Sequence, residues 1–521
     1  MIFERFQIRE IFRSVKRGII RTMLSVLVLG LAASSSAAQY SRLWGTNGES
    51  WSPESRLPDF SYAGYRRGEE PIPDRKIDVS ISDFGAKGDG RTDDTAALQK
   101  AIDENPGKVI YLPAGRYVIT DWVTIRSSGT VLRGAGPTRT LLMFPKTLTD
   151  IKPNWGSTTS GKRTSNYSWS NGFLRIDGGI QGDSLAKVTK IARRGGFQLV
   201  VDDPSGFHPG EDYLLSMQDN ESKTLTKHIY ADDTGPISNL KSVRERFVFR
   251  LANIDKSSGT LTFDRPLRTD VRPEWKPEIR SAKGKVEESG IEKMSFTFPT
   301  TPYKGHFTEL GYNAIDLRNA CHCWVRDVRI HNSDSGIYVS GYNNTLEEIQ
   351  LSSSRKVEPS RKATGHHGIS LDGQDCLLTR FRFETRFMHG ITVTRGSAGN
   401  VVSVGMGVDL SLDHHRYGPH SNLYTDLYIG EGTRMFQSGG GSSLGHHSAA
   451  YNTFWGIRSK RPIEWPRNFA PDMINLVGVP SRSNPITDAK GRWFEPINPM
   501  TIEPRNLHEA QLKRRLSKGA D

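Results

Sequence analysis

The densest run of chemically useful side chains is Asp413-His414-His415-Arg416-Tyr417-Gly418-Pro419-His420. Counting His389 as its neighbour, four of the fourteen histidines belong to this run, and Gly365-His366-His367-Gly368 carries two more. Imidazole titrates near neutral pH, so His414, His415 or His420 can act as a general base. Arg416 can neutralise a substrate carboxylate through a fork of donors. Tyr338 or Tyr417 can supply a proton, and Asp372 with Asp413 offers a carboxylate pair. Histidines on neighbouring turns of chain can also converge on zinc, although no His-Glu-x-x-His pattern occurs. Oxygen ligands from Asp334, Asp372, Asp375 or Asp413 would suit Ca2+. The metal is thus left open, with Ca2+ a candidate.

Such residues act together only if the chain brings them together, and a repeat does so. One series reads Asn313-Ala-Ile-Asp-Leu, Ser335-Gly-Ile-Tyr-Val, His367-Gly-Ile-Ser-Leu, His389-Gly-Ile-Thr-Val and Val408-Asp-Leu-Ser-Leu. A second follows Asn319, Asn344, Asp375, Asn400, Asn422 and Asn452. Two series in step, each alternating apolar with polar residues, predict stacked coils of a solenoid. Asparagine at one repeated turn position suits a ladder in which amides satisfy one another. Coils stack about 4.8 Å apart. Aligned on its isoleucines, the first series puts Ser340, Asp372, Thr394 and Asp413 on one outward row. Tyr338, Ser370, Thr392 and Ser411 form the next row. His367 and His389 stack one coil apart, and Asp334 and His366 share a row two residues before each central glycine.

The entrance to this stack is written in residues 79–115. A strand at Val79–Ile81 meets the Gly-rich turn Phe84-Gly-Ala-Lys-Gly-Asp-Gly, and Thr92 and Asp93 then cap a helix over 94–103. A buried strand Val109–Leu112 follows, closed by Pro113 and Gly115. This order resembles the pectate-lyase superfamily, with the subgroup unidentified. The resemblance implies an all-β, right-handed parallel β-helix whose short helix covers the open first coil, and an activity on polysaccharide. Gly365-His-His-Gly and Gln374-Asp echo two elements of polygalacturonase-like hydrolases, but in reversed order and without the other two.

Around the repeats the chain divides into four expected parts. Residues 1–38 carry six basic and two acidic residues, a short apolar run and Ser36-Ala37-Ala38, and so read as a signal peptide. That predicts a secreted or periplasmic protein without a stable membrane anchor. Residues 39–78 form a Pro- and aromatic-rich arm, 79–465 the solenoid with a β-rich insertion at about 141–310, and 466–521 an extension with a short helix over 507–516. Removing the leader lowers the formal charge from +13 to +9. This mild excess suits an acidic polysaccharide and is unlike the dense basic patches of nucleic-acid binders. Cys321, Cys323 and Cys376 are odd in number and read as small interior residues rather than a disulfide framework.

Three functions fit these features. A polysaccharide lyase would use Arg416 or Ca2+ to neutralise a uronate and a histidine to remove the adjacent proton. An inverting glycoside hydrolase would use Asp372 and Asp413, two coils apart. A non-catalytic carbohydrate binder would stack sugars on arm aromatics such as Trp44 and Tyr62. The lyase accounts for the concentration of His and Arg and is the leading expectation.

Overall fold

A computed structural model describes residues 37–521 except 159, 180–181, 358–361, 467–468, 472, 484–486, 488–490 and 519–521. The expected signal segment lies outside the described residues. Among those described, no helix is long and apolar enough to cross a membrane.

Two parallel sheets run the length of the solenoid. A cleft-bearing sheet orders Val123–Ile125, Leu174–Asp177, Asn313–Cys321, Ser335–Tyr342, Gly365–Leu371, Phe387–Val393 and Leu412–His414 side by side. The longer sheet runs from Val79–Ser80 through Trp324–His331 and Thr453–Arg458 to Trp493–Glu495. Successive strands of one sheet are joined through the other, and parallel crossovers of this kind run right-handed. Between the sheets lies a continuous core that includes Ile337, Ile369, Ile391, Leu412 and Phe383. The entrance helix spans Thr95–Glu104, one residue later than expected, and buries Leu98, Ala101 and Ile102 against the first coil. Asp93 receives the Thr95 backbone N–H, while Thr92 donates to Asp89 instead of capping.

The asparagine ladder is present and shifted from the sequence alignment. Cys323 N–H donates to Asn344 Oδ1 at 2.9 Å, Cys376 N–H to Asn400 at 2.9 Å, Asn400 N–H to Asn422 at 3.1 Å and Asn422 N–H to Asn452 at 2.8 Å. Cys323 and Cys376 are therefore small buried members of the column. Asp375 sits one residue off it, and Asn319 is exposed outside it.

The expected insertion is narrower than 141–310, and the solenoid does not stop at 465. Leu174–Asp177 and Gly290–Thr297 are rungs in parallel register with Asn313–Cys321 and Trp324–His331. Asn475–Val477 and Trp493–Glu495 add two more rungs. These strands are short or widely spaced, so no fixed period marks them. What remains is a six-stranded antiparallel sheet between Ala186 and Ser281, with its own core around Phe249 and Trp275. Arm residues Leu43, Trp44, Leu57 and Phe60 pack with Leu507 of the C-terminal helix on Val401, Leu423 and Trp455.

The insertion is fastened to the solenoid by buried charge. Asp375 accepts from Arg265 Nη1 at 3.0 Å and Arg268 Nη2 at 2.6 Å, with all three side chains at most 4% exposed. Burial alone would raise the Asp375 pKa, but the two guanidinium groups outweigh it and hold it below the usual value. Removing one partner of a buried ion pair costs about 3–5 kcal/mol, because it strands the others. Asp375→Ala should lose stability on that scale in urea unfolding and expose the insertion to limited proteolysis. Because the folded-state pKa is depressed, the contribution is intact above about pH 3.9 and fades only as pH falls below it.

Candidate functional site

Register carries the side chains into place. His367 pairs with His389, and Tyr338, Ser370, Thr392 and Asp413 follow one another across four strands. A strand presents residues two apart on the same face, yet His367 and His389 face outward while Ile369 and Ile391 enter the core. The glycine after each histidine makes the change of face. A Cβ on Gly368 would collide with Phe383 in the core, and the ladder skips Gly368 and Gly390.

These rows form one wall of a cleft of about 520 Å3. Its lining includes Tyr338, His366, His367, Asp372, His389, Arg395, His415 and Tyr417, together with His306, Phe307, Trp169 and the loop Gly439–Gly441. Imidazoles dominate it: His367 and His389 stack at 4.8 Å between centroids, and His389 and His415 meet edge to face at 4.9 Å.

Asp413 organises this wall. It is fully buried. Its Oδ2 accepts from Thr392 Oγ1 at 3.1 Å and lies 2.9 Å from His415 Nδ1, while Oδ1 accepts from Gly439 N–H at 2.7 Å. His389 Nδ1 stands 3.2 Å from Oδ2. Burial would raise the Asp413 pKa, but the two imidazoles outweigh it and keep the carboxyl well below its ordinary range. The reciprocal effect falls on His415: burial pulls its pKa down, and Asp413 more than offsets that, so it is raised. Asp372, by contrast, is pushed up to about 6 by burial, and its Oδ1 has no hydrogen-bond partner among the described residues. Gly439 is needed as glycine, since a Cβ there would sit 2.6 Å from His389 Cε1.

The expected rows require one correction. Leu412, not Leu410, pairs with Ile391. Leu410 and Leu412 both satisfy an alternating pattern, so a two-residue slip keeps every face and is invisible in sequence. Asp413 therefore joins the Tyr338 row, and His415 takes the position beside Thr394 that had been assigned to Asp413. Asp372 and Asp413 do not share a row. Asp413 is also fully engaged, which removes it as the water-activating partner of an inverting pair.

Several candidates stand elsewhere. His414 follows Val339, Leu371 and Val393 in an inward row, and its ring lies in the core against Tyr424 and Phe469. His420 is spent on Glu245 of the insertion at 2.7 Å. Arg416 donates to Gly445 O and approaches His447, and it does not line the cleft. Asp334 is held by Arg355 at 2.7 Å and by the Gly311 and Tyr312 N–H groups. With Asp375 and Asp413 also engaged, the aspartates weighed for calcium do not converge. Trp44 and Tyr62 line a separate groove with Arg514 and Arg515, and both are at most 4% exposed. They serve the packing of the arm.

Sequence reasoning missed His306, Phe307 and Trp169, which lie in stretches without period. It also missed Arg395, although that residue directly follows Thr394 of an outward row. Arg395 is exposed and forms no ion pair with any described residue.

Fold and cleft together define a parallel β-helix with an imidazole-rich groove across its strands. Residues 78–175 match the family described as rhamnogalacturonase A/epimerase, pectate lyase-like. It is 29% identical to alginate lyase 7 of Azotobacter vinelandii over 166 residues, 30% of this chain and 18% of that protein. It is 35% identical to mannuronan C5-epimerase AlgE3 of the same organism over 111 residues, 20% of this chain and 6% of that one. The chain thus matches less than a fifth of either relative's length. The tailspike protein gp49 of Pseudomonas phage LKA1 overlays 73% of this chain and 59% of its own at 14% identity, with a TM-score of 0.49.

The Asp413–His415 pair yields a direct test. In Asp413→Asn the charge that favours the imidazolium is gone while burial remains, so the His415 pKa should fall, as read by NMR titration of its ring.

Proposed function

We propose that this protein is an exported lyase that cleaves a uronate-containing polysaccharide by β-elimination in the imidazole cleft. One observation carries the reading: a cleft-lining histidine tethered to a buried carboxylate shares the groove with an arginine that forms no ion pair with any described residue. Arg395 is suited to clamp the uronate carboxylate with two parallel hydrogen bonds, taking the part expected of Arg416. Neutralising that carboxylate acidifies the proton on C5. His415 Nδ1 is occupied by Asp413, which fixes the tautomer and leaves Nε2 to take the proton. The electrons of the C5–H bond form the C4=C5 double bond, the C4–O bond breaks, and the departing oxygen accepts a proton. Tyr417 is suited to supply it, since it lines the cleft and its hydroxyl donates to no described residue. Tyr338 is less suited, because its hydroxyl donates to Ser335 at 2.9 Å. The mild net basicity of the mature chain and the alginate-lyase and epimerase relatives support an acidic polymer.

Incubation with pectate, alginate, ulvan and glycosaminoglycans should give the ultraviolet absorbance of 4,5-unsaturated uronate on at least one polymer. His415→Ala should lower kcat by about 10²–10⁴-fold, the usual contribution of a placed base. Arg395→Ala should chiefly raise KM. Reducing ends released without the unsaturated chromophore would mean hydrolysis and overturn the proposal.

A further inference from the structure

The mechanism above leaves four imidazoles of the cleft without a task, and three of them converge. His306, His366 and His389 form a triangle with centroid separations of 4.5, 5.5 and 5.3 Å. One ring nitrogen from each lies within 4.8 Å of those of the others. His366 and His389 are buried, with side chains 2% and 8% exposed. Among the described residues, His389 Nε2 has no hydrogen-bond partner. Burying a polar nitrogen unpaired costs roughly 1–3 kcal/mol, so this atom, facing two further imidazoles, calls for a ligand.

We infer that His306, His366 and His389 form a binding site for a late first-row divalent transition metal such as Zn2+ or Co2+. Nitrogen donors favour these ions over Ca2+ and Mg2+, which take oxygen. With metal–nitrogen bonds of about 2.0–2.1 Å, imidazole centres around a tetrahedral ion lie roughly 5 Å apart, close to the triangle seen here. The surroundings also match a metal site. Metal-bound histidines are held by a carboxylate on the other ring nitrogen. Asp413 Oδ2 is 3.2 Å from His389 Nδ1, and Glu309 Oε1 is 3.7 Å from His366 Nδ1, which leaves each Nε2 available. This pattern favours the triad over the alternative set His389, Asp413 and His415, whose carboxylate is already bound by Thr392 and Gly439. Three protein ligands leave the remaining position open to the cleft, where a carboxylate or hydroxyl oxygen of a bound sugar could enter.

The site is testable without substrate and independently of the lyase reading. Untagged chain, stripped with chelator, is titrated with Co2+ by calorimetry and visible spectroscopy. One cobalt per chain with the d–d bands of a nitrogen-ligated, low-coordinate ion is expected, with Zn2+ displacing it. His306 lies on a partly exposed loop, so His306→Ala and His306→Gln should fold, as checked by near-ultraviolet dichroism. Each should weaken binding by more than the roughly 10–100-fold that losing an outer partner costs. His415→Ala should keep one cobalt per chain. Absence of stoichiometric binding, binding unchanged in both His306 variants, or binding lost in His415→Ala would each overturn the assignment. Loss of lyase activity in His415→Ala with cobalt retained would separate the two roles.

Discussion

Every contact in the cleft depends on the turns of successive coils being held in one vertical line. The column Cys323, Asn344, Cys376, Asn400, Asn422 and Asn452 does this with buried backbone-to-amide hydrogen bonds. Each carboxamide accepts from the coil below and donates back to a carbonyl of that coil, Ala320, Gly373, Ser397 or Pro419, so a one-residue slip at any level would leave several buried groups unpaired. Register is therefore fixed at the foot of each rung. His367, His389 and Asp413, separated by 22 and 24 residues in the chain, meet because of it.

Within that frame Asp413 faces a harder condition. A fully buried carboxylate is tolerated only when its lone pairs are satisfied. Here they are met by a threonine hydroxyl from the previous rung, the backbone of a glycine loop and an imidazole two residues on. The same contacts that make the charge tolerable fix the His415 ring and approach that of His389. Stability of the carboxylate and aim of the histidines are one arrangement.

The repeats made the solenoid, its entrance helix and the stacking of His367 on His389 legible in the sequence, because strand alternation and a recurrent Gly-Ile leave a periodic trace. The trace fails where two registers look alike. Leu410 and Leu412 are equally good interior residues, so the row containing Asp413 was displaced; His414, weighed as a base, follows a valine in an inward row. It fails again where proximity comes from loops. His306 and Trp169 have no period, and Arg416 and His420 sit among functional residues in sequence while their side chains turn to the loop wall and the insertion.

The glycine loop that donates its N–H to Asp413 is not supported by the coils alone. Asn239 binds Ser443, Asp233 meets His446 at 3.0 Å, Tyr230 bonds to His446 O, and Gly445 N–H reaches Pro236 O. The glycine-loop side of the groove is thus braced by a folded unit inserted some two hundred residues upstream. The position of that loop can shift with the graft while the rungs stay as they are. The imidazole wall and the loop that meets it are thus separable parts, one set by the coils and the other by the graft.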